Sequence, residues 1–482
     1  MAELDEKIKA LDVLVGGMGV DVSGIDLISA AANHPSRRVS GSLSGTALAE
    51  VYVRRLQMGD PGAKIERAFE AFSARVPALT QEIQDLYKKF HIVGGKSADA
   101  KFRGMSMGGM TPARDVQIMI IAATFAHVWR AKQAAPGRPI GVNFLRKLER
   151  TLLYGLYGAM LAGADWIVMG AGDPSAVPGL LDSLARHELT ELPMQVATCP
   201  LGEYKVSFDP KDLVGDAAAP ARTPFLAIVS SHLQAEGLAA NPVTRPDGFV
   251  IEGPLAGGHN APPSKRAKDA DGHYVYGPED EADLRAVAAI GLPFWVAGGQ
   301  AKPGGPFNRR QVGTIFALAK ESGLEPSLRQ KMLGLIWRQK ERVVNDARAS
   351  PSTYPFKIAQ APGTVGESAV YEDRKRVCDV GLLRGWRPKD GKVIGLCPAD
   401  KPDLFKKAGG AAWRCAGAMC LCNGLLSAVG VGQPAEAPLI TLGDTAPVRE
   451  LQRQLKRLEY SAAEAAAFAL GELKVPATPV AA

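Results

Sequence analysis

A chain of 482 residues, 46% of them hydrophobic and 22% charged, buries a sizeable core and has room for roughly two to four domains or for one α/β barrel with additions; collagen-like and wholly disordered classes are excluded. The net charge of +7 is small for this length, and the basic runs 265–268 and 374–376 are short enough to be solvated loop faces, so no nucleic-acid partner is implied. The acidic first residues lack the basic-then-apolar order of a signal peptide, and no apolar run has the length of a membrane span, so a cytoplasmic protein without membrane contact is expected.

Strand-like apolar runs fall at residues 11–15, 38–41, 140–145, 166–169, 225–229, 248–252, 293–297 and 310–313. Each is followed by a glycine-containing turn, and helical patterns separate them. Eight such units are the count for a closed (β/α)8 TIM barrel, whose chemistry sits where the strands end. An insertion at 43–138 reads as helices over 48–58, 63–75, 79–90 and 115–133. Its loop Gly104-Met105-Ser106-Met107-Gly108-Gly109-Met110 has little side-chain anchoring and is either a lid or an ordinary flexible loop. Residues 262–278 are polar, with Asp271-Gly272 as a turn between short strands.

Only eleven residues, 300–310, separate the last two glycine-ended strands, and Lys302-Pro303-Gly304-Gly305-Pro306 is a poor helix sequence. A shortened crossover and an irregular last strand are expected. Past Gly323 a helix near 328–344 leads to Pro351, Pro355 and Pro362, a cysteine-bearing extension, a helix over 448–472, and a disordered Ala/Pro tail. The division this suggests is a barrel over 1–345 and an extension over 346–482.

The run Gly248-Phe249-Val250-Ile251-Glu252-Gly253-Pro254-Leu255-Ala256-Gly257-Gly258-His259-Asn260 carries an apolar strand into glycines and then a histidine. Glycines let backbone approach a ligand, and a histidine moves protons near neutral pH; His259 is either a base at a barrel mouth or a satisfied loop histidine. Ala297-Gly298-Gly299 and Val312-Gly313-Thr314 follow the last two strands, where barrels commonly hold a phosphate on bare backbone N–H groups; the other reading is simple tight turns. Gly16-Gly17-Met18-Gly19 fails the G-x-G-x-x-G spacing at Val22 and Gly170-Ala171-Gly172 fails it at Ser175, which argues against a dinucleotide fold. Gly41-Ser42-Leu43-Ser44-Gly45 has Leu43 where a nucleophile elbow needs serine.

Five of the six cysteines, Cys378, Cys397, Cys415, Cys420 and Cys422, fall within 45 residues. In Gly16-Gly17-Met18-Gly19-Val20, Val39-Ser40-Gly41, Ser44-Gly45-Thr46-Ala47-Leu48, Arg54-Arg55-Leu56-Gln57, Gly59-Asp60-Pro61-Gly62, residues 252–263 and 293–299, Ser350-Pro351, Pro355-Phe356-Lys357, Arg376-Val377-Cys378-Asp379 and Cys420-Leu421-Cys422-Asn423-Gly424, the chain resembles the nitronate monooxygenase family over nearly its whole length. The resemblance implies a (β/α)8 barrel holding FMN non-covalently, with His259 as base and the phosphate at Gly298, Gly299, Gly313 and Thr314. Gly16, Gly17, Met18, Asn143, Gly170, Gly257 and Gly258 would complete the cofactor site.

The implied reaction is FMN-dependent oxidation of nitronates or nitroalkanes by O2 to a carbonyl compound and nitrite. Related flavoproteins include FMN-dependent enoyl-thioester reductases using NAD(P)H, and a barrel with weakened FMN binding serving as a binding or scaffold protein is a third reading. Relatives carry glutamine where this chain has Val15, which removes a polar contact near the flavin. Cys378, Cys397, Cys420 and Cys422 match cysteines of relatives; they are either four thiolate ligands of a zinc that staples the extension or free buried thiols.

Overall fold

The computed structural model describes residues 4–352, 354–410 and 418–474; Cys415 and the Ala/Pro tail beyond Lys474 lie outside them. Strands β1 (Val13–Val15), β2 (Val39–Ser44), β3 (Gly141–Leu145), β4 (Trp166–Gly170), β7 (Phe225–Val229), β8 (Gly248–Glu252), β9 (Phe294–Ala297) and β10 (Arg310–Val312) form a closed parallel barrel in the order β1-β10-β9-β8-β7-β4-β3-β2. The protein is a (β/α)8 barrel. A hairpin of β5 (Thr190–Pro193) and β6 (Lys205–Phe208) interrupts the cycle between β4 and β7.

The barrel interior is packed with side chains. Leu14, Trp166, Val168, Leu226, Val250 and Trp295 fill it, and Leu4, Ile8 and Leu11 of the amino-terminal segment close its lower end. Burying two indoles demands partners for their N–H groups: Trp166 donates to Ser42 Oγ at 2.9 Å and Trp295 to the Leu11 carbonyl at 2.9 Å. Gly141 makes room for the first, since a Cβ there would stand 2.1 Å from the Trp166 ring.

The insertion forms helices Leu48–Gln57, Lys64–Arg75, Thr80–Phe90 and Arg114–Ala134. The last is apolar on nearly every side because it packs between its companions and helices Ile25–Ala32 and Glu149–Leu161. The 104–110 loop is better anchored than its composition suggests. Arg150 donates to the Met107 and Gly108 carbonyls at 2.6 and 3.3 Å, Gln57 exchanges two 2.8 Å bonds with the Arg103 backbone, and Met105 is buried. In the 262–278 segment only one antiparallel bridge forms, Lys268 with Tyr274, around Gly272 at φ +82°.

The 300–310 crossover has no helix, yet β10 still pairs with both β9 and β1. The space beside it is covered from the carboxy-terminal side: Lys302 pairs with Glu450 and its ammonium lies 5.9 Å from the Phe468 ring centroid. The helix expected over 448–472 is two helices, Ala446–Leu455 and Ala462–Leu470, broken where Lys456 turns left-handed at φ +54° and restarted by a Ser461–Glu464 capping box. The helix expected over 328–344 stops at Trp337; Arg342–Asp346 is instead β11, pairing with β12 (Phe356–Gln360), because Val343 and Val344 fit a strand and Arg338 to Glu341 lie outside the helix. A further hairpin, β13 (Gly385–Lys389) with β14 (Lys392–Leu396), precedes the cysteine segment.

Core residues of the carboxy-terminal part, among them Leu426, Ile440, Leu442, Leu451, Tyr460 and Phe468, belong to the same apolar cluster as the barrel's helices. Buried Arg54 of the insertion donates to the Val431 carbonyl at 2.8 Å, and Gln433 exchanges bonds of 2.9 and 3.1 Å with the Phe102 backbone. No helix among the described residues is long and apolar enough to cross a membrane.

Candidate active site

A cavity of about 1540 Å³, including its open mouth, lies at the carboxy-terminal ends of the barrel strands. Gly16, Gly17, Met18, Asn143, Gly170, Gly257, Gly258, His259, Gly298, Gly299, Gly313 and Thr314 all line it. They come from six strand ends dispersed over the chain, and barrel closure brings them together. Of the four cysteines singled out, Cys422 alone reaches the cavity.

The glycines are needed for close approach. A Cβ on Gly17 would stand 2.1 Å from Asn143 Cβ, and one on Gly170 would stand 2.9 Å from Ile228 Cβ. Gly298 and Gly299 have φ of +89° and +71°, and a Cβ on Gly298 would meet the Ala256 nitrogen at 2.8 Å; both conditions exclude ordinary side chains. A carboxy-terminal segment then clamps these loops. Thr441 Oγ1 accepts from the Gly258 N–H and Thr314 Oγ1 from the Gly443 N–H, each at 2.9 Å, and the Asp444 N–H bonds the Leu255 carbonyl at 3.1 Å. The Asp444 carboxylate, also at the cavity, accepts from the Ala446 N–H at 3.0 Å.

His259 sits between the β8 loop and β12. Its Nε2 shares a 2.8 Å hydrogen bond with Ser350 Oγ, which is itself 2.7 Å from Ser352 Oγ, and its ring meets Phe356 edge-on at 4.8 Å between centroids. Nδ1 has no protein partner among the described residues. Burial, with the Lys147 charge second, holds the imidazole well below its usual pKa, so it is neutral and able to accept a proton at neutral pH.

Three further buried titratable groups lie close to one another beside this loop, Lys147 near enough to act on His259, and the sequence reading assigned a role to none of them. Glu252 ends β8 and accepts from Asn260 Nδ2 at 3.2 Å; burial pushes its carboxyl up to about 7. Lys357, beside Phe356 on β12, donates to the Pro254 carbonyl and is held down to about 8 by burial. Lys147 follows β3. Its buried Nζ has no hydrogen-bond partner, lies 3.5 Å from the Tyr354 ring centroid, and is held down to about 7 by burial against the opposing pull of Glu252. Asn345 ties the group together, donating to Asn260 Oδ1 at 3.2 Å and Tyr276 Oη at 2.9 Å.

Gln311 of β10 is another cavity residue that sequence reading passed over. Its side chain lies about 3.5 Å from where a Cβ on Gly16 would stand, and its buried Oε1 has no partner. The amide therefore stands beside Gly16, directly after Val15, from the neighbouring strand rather than from β1. The signals were present in sequence as polar residues inside or just beyond apolar strands. A strand-end lysine or glutamine is common, though, and only the fold shows which are buried without partners.

No family model matches the chain, and no curated protein does. Among solved structures the chain is similar to the enoyl reductase domain of MlnA from the macrolactin biosynthesis cluster of Bacillus amyloliquefaciens, at 10% identity and a TM-score of 0.48, over 98% of this chain and 97% of that chain.

Proposed function

We propose that the protein is an FMN-dependent oxidoreductase acting on a small substrate whose reacting carbon sits next to an oxyanion, with nitronates and their parent nitroalkanes as the leading class. The observation that carries this reading is a neutral buried imidazole, His259, in the wall of a glycine-lined cavity, with the unpartnered Nζ of Lys147 near enough to act on its charge.

The cavity suits FMN on two counts. The orphaned Gln311 Oε1 is an acceptor in need of an N–H donor of the kind a flavin ring carries, and buried polar atoms are rarely left unpaired. Gly298 and Gly299, together with Gly313 and Thr314, form a bare-backbone cup of the sort that holds a phosphate. When bound, FMN would supply the electron-transfer and oxygen chemistry, with O2 as co-substrate, that side chains lack.

The chain's own residues then have defined tasks. Nδ1 of His259 accepts the α-proton of a neutral nitroalkane, and Ser350 fixes the ring through Nε2. Lys147 in its ammonium form stabilises the nitro oxygens as they become anionic, an effect strengthened because burial excludes water. The Leu145, Leu148, Leu382 and Leu425 side chains form an apolar wall that favours a small alkyl substituent.

A second reading, reduction of an enoyl thioester with NAD(P)H, is favoured by a side pocket of about 540 Å³ that shares Leu145, Leu148 and Leu382 with the cavity and adds Met105 and Met107. An acyl chain would suit such a pocket. The test is the visible spectrum of the purified protein, followed by anaerobic addition of each reductant. Bleaching by a nitronate with nitrite release on admitting O2 supports the first reading, and bleaching by NAD(P)H with consumption of an enoyl thioester supports the second. A colourless protein that takes up no FMN overturns both and leaves a binding or scaffold role.

A further inference from the structure

Four cysteines converge in the carboxy-terminal part without forming disulfides. Cys378 lies between helix Ser368–Asp373 and β13, Cys397 directly follows β14, and Cys420 and Cys422 open helix Leu421–Ala428. They make up most of a small apolar cluster of their own, joined only by Ala399 and Ala418. Side chains of this size bury little area themselves, and the neighbouring Met419, Leu421 and Leu426 supply the apolar packing that holds the cysteines in place.

What surrounds the sulfurs is unusual for neutral thiols, which are weak acceptors. Two of them receive an N–H. Arg384 Nε points at Cys378 Sγ at 3.4 Å and the Asn423 N–H at Cys420 Sγ at 3.5 Å. Donors placed in this way stabilise negative charge on sulfur, as outer-shell groups do around metal-bound ligands.

The geometry points to a structural zinc site made by Cys378, Cys397, Cys420 and Cys422, independent of whether the barrel holds FMN. Zinc suits four soft thiolates in a closed shell. Each thiol loses its proton to solvent as its sulfur–zinc bond forms, so four protons leave for one Zn2+. The resulting complex carries two negative charges, which the N–H donors and the Arg384 guanidinium offset.

Among the described residues no three of these sulfurs lie within 4.8 Å of one another. Bonds of about 2.3 Å imply sulfur separations of about 3.8 Å, so metal entry draws the side chains inward. Because Leu382, Leu383 and Cys422 also line the cavity, that contraction would fix one of its walls.

Metal analysis of the full chain purified under reducing conditions with zinc present tests the site directly. About one zinc per chain is expected, along with tetrahedral cobalt-thiolate absorption, red of any flavin band, after Co2+ exchange. Cys397→Ser and Cys420→Ser should reduce bound metal to background. If either variant fails to fold, the native chain provides the same test: the four thiols should resist alkylation until a chelator is added. Absence of metal together with no uptake of Zn2+ or Co2+ by the reduced chain overturns the site, as does full metal retention by folded serine variants.

Discussion

Lys147 and His259 make separable demands on the protein. A lysine whose folded pKa of about 7 lies below its usual 10.5 costs stability; the cost is largest below the folded pKa and declines as pH rises through that window. Lys147→Met is therefore expected to stabilise the fold more at pH 6 than at pH 9, by on the order of 2 kcal/mol after allowing for its coupling to Glu252. Denaturant unfolding at the two pH values measures this, and an equal gain at both would show that Nζ is solvated. The same variant should raise KM for a nitronate. His259→Asn is expected to keep its FMN and to lose about 10²- to 10⁴-fold in turnover of neutral nitroalkanes, while pre-ionised nitronate is still consumed. Undiminished turnover of the neutral substrate would remove His259 as the base.

At the scale of single elements, the glycine turns after β1, β9 and β10 decide whether the cavity exists. Gly299→Leu would place a side chain at φ +71° with its Cβ 2.9 Å from Leu255 Cδ1, so both strain and obstruction act on the phosphate cup. The purified variant is expected to contain less than a tenth of the wild-type flavin, read from its absorption spectrum; normal flavin content would move the phosphate elsewhere. These turns were legible in sequence because continuous apolar strands ending in glycine leave few alternatives, and β7 and β8 fall at the expected residues. The helix break at Lys456 was missed because a left-handed lysine leaves no signature, although Ser461 and Glu464, spaced as a capping box, mark the restart in the sequence itself. The β11–β12 pair was hidden for a related reason: Val343 and Val344 continue a helical apolar pattern until the chain turns, and only pairing with Ile358 and Ala359 makes them a strand. Lys147 and Gln311 escaped notice because their significance lies in a missing partner, which is a property of three-dimensional packing.

Across the whole molecule, the carboxy-terminal part supplies what the barrel lacks. Helix Ala462–Leu470 packs on helix Ile25–Ala32 and on β1, its following Glu472 pairs with Arg38, and the Ala462 N–H bonds Glu321 at 2.7 Å. It thus lies near the crossover that has no helix of its own, with Pro303 3.1 Å from where a Cβ on Gly471 would stand. Tyr460, Phe468 and Leu470 of this segment are buried, and each large apolar side chain is worth roughly 1.5–3 kcal/mol when fully buried. Their sum is comparable to the whole stability of a typical domain, about 5–15 kcal/mol. Deleting residues 457–482 is accordingly expected to leave a chain that no longer unfolds cooperatively and exposes apolar surface to a hydrophobic dye. The fragment 1–345, which lacks the 441–444 clamp as well, should neither fold nor take up FMN. A soluble 1–345 fragment with a sharp thermal transition would show instead that the barrel closes unaided and that these helices only cover it.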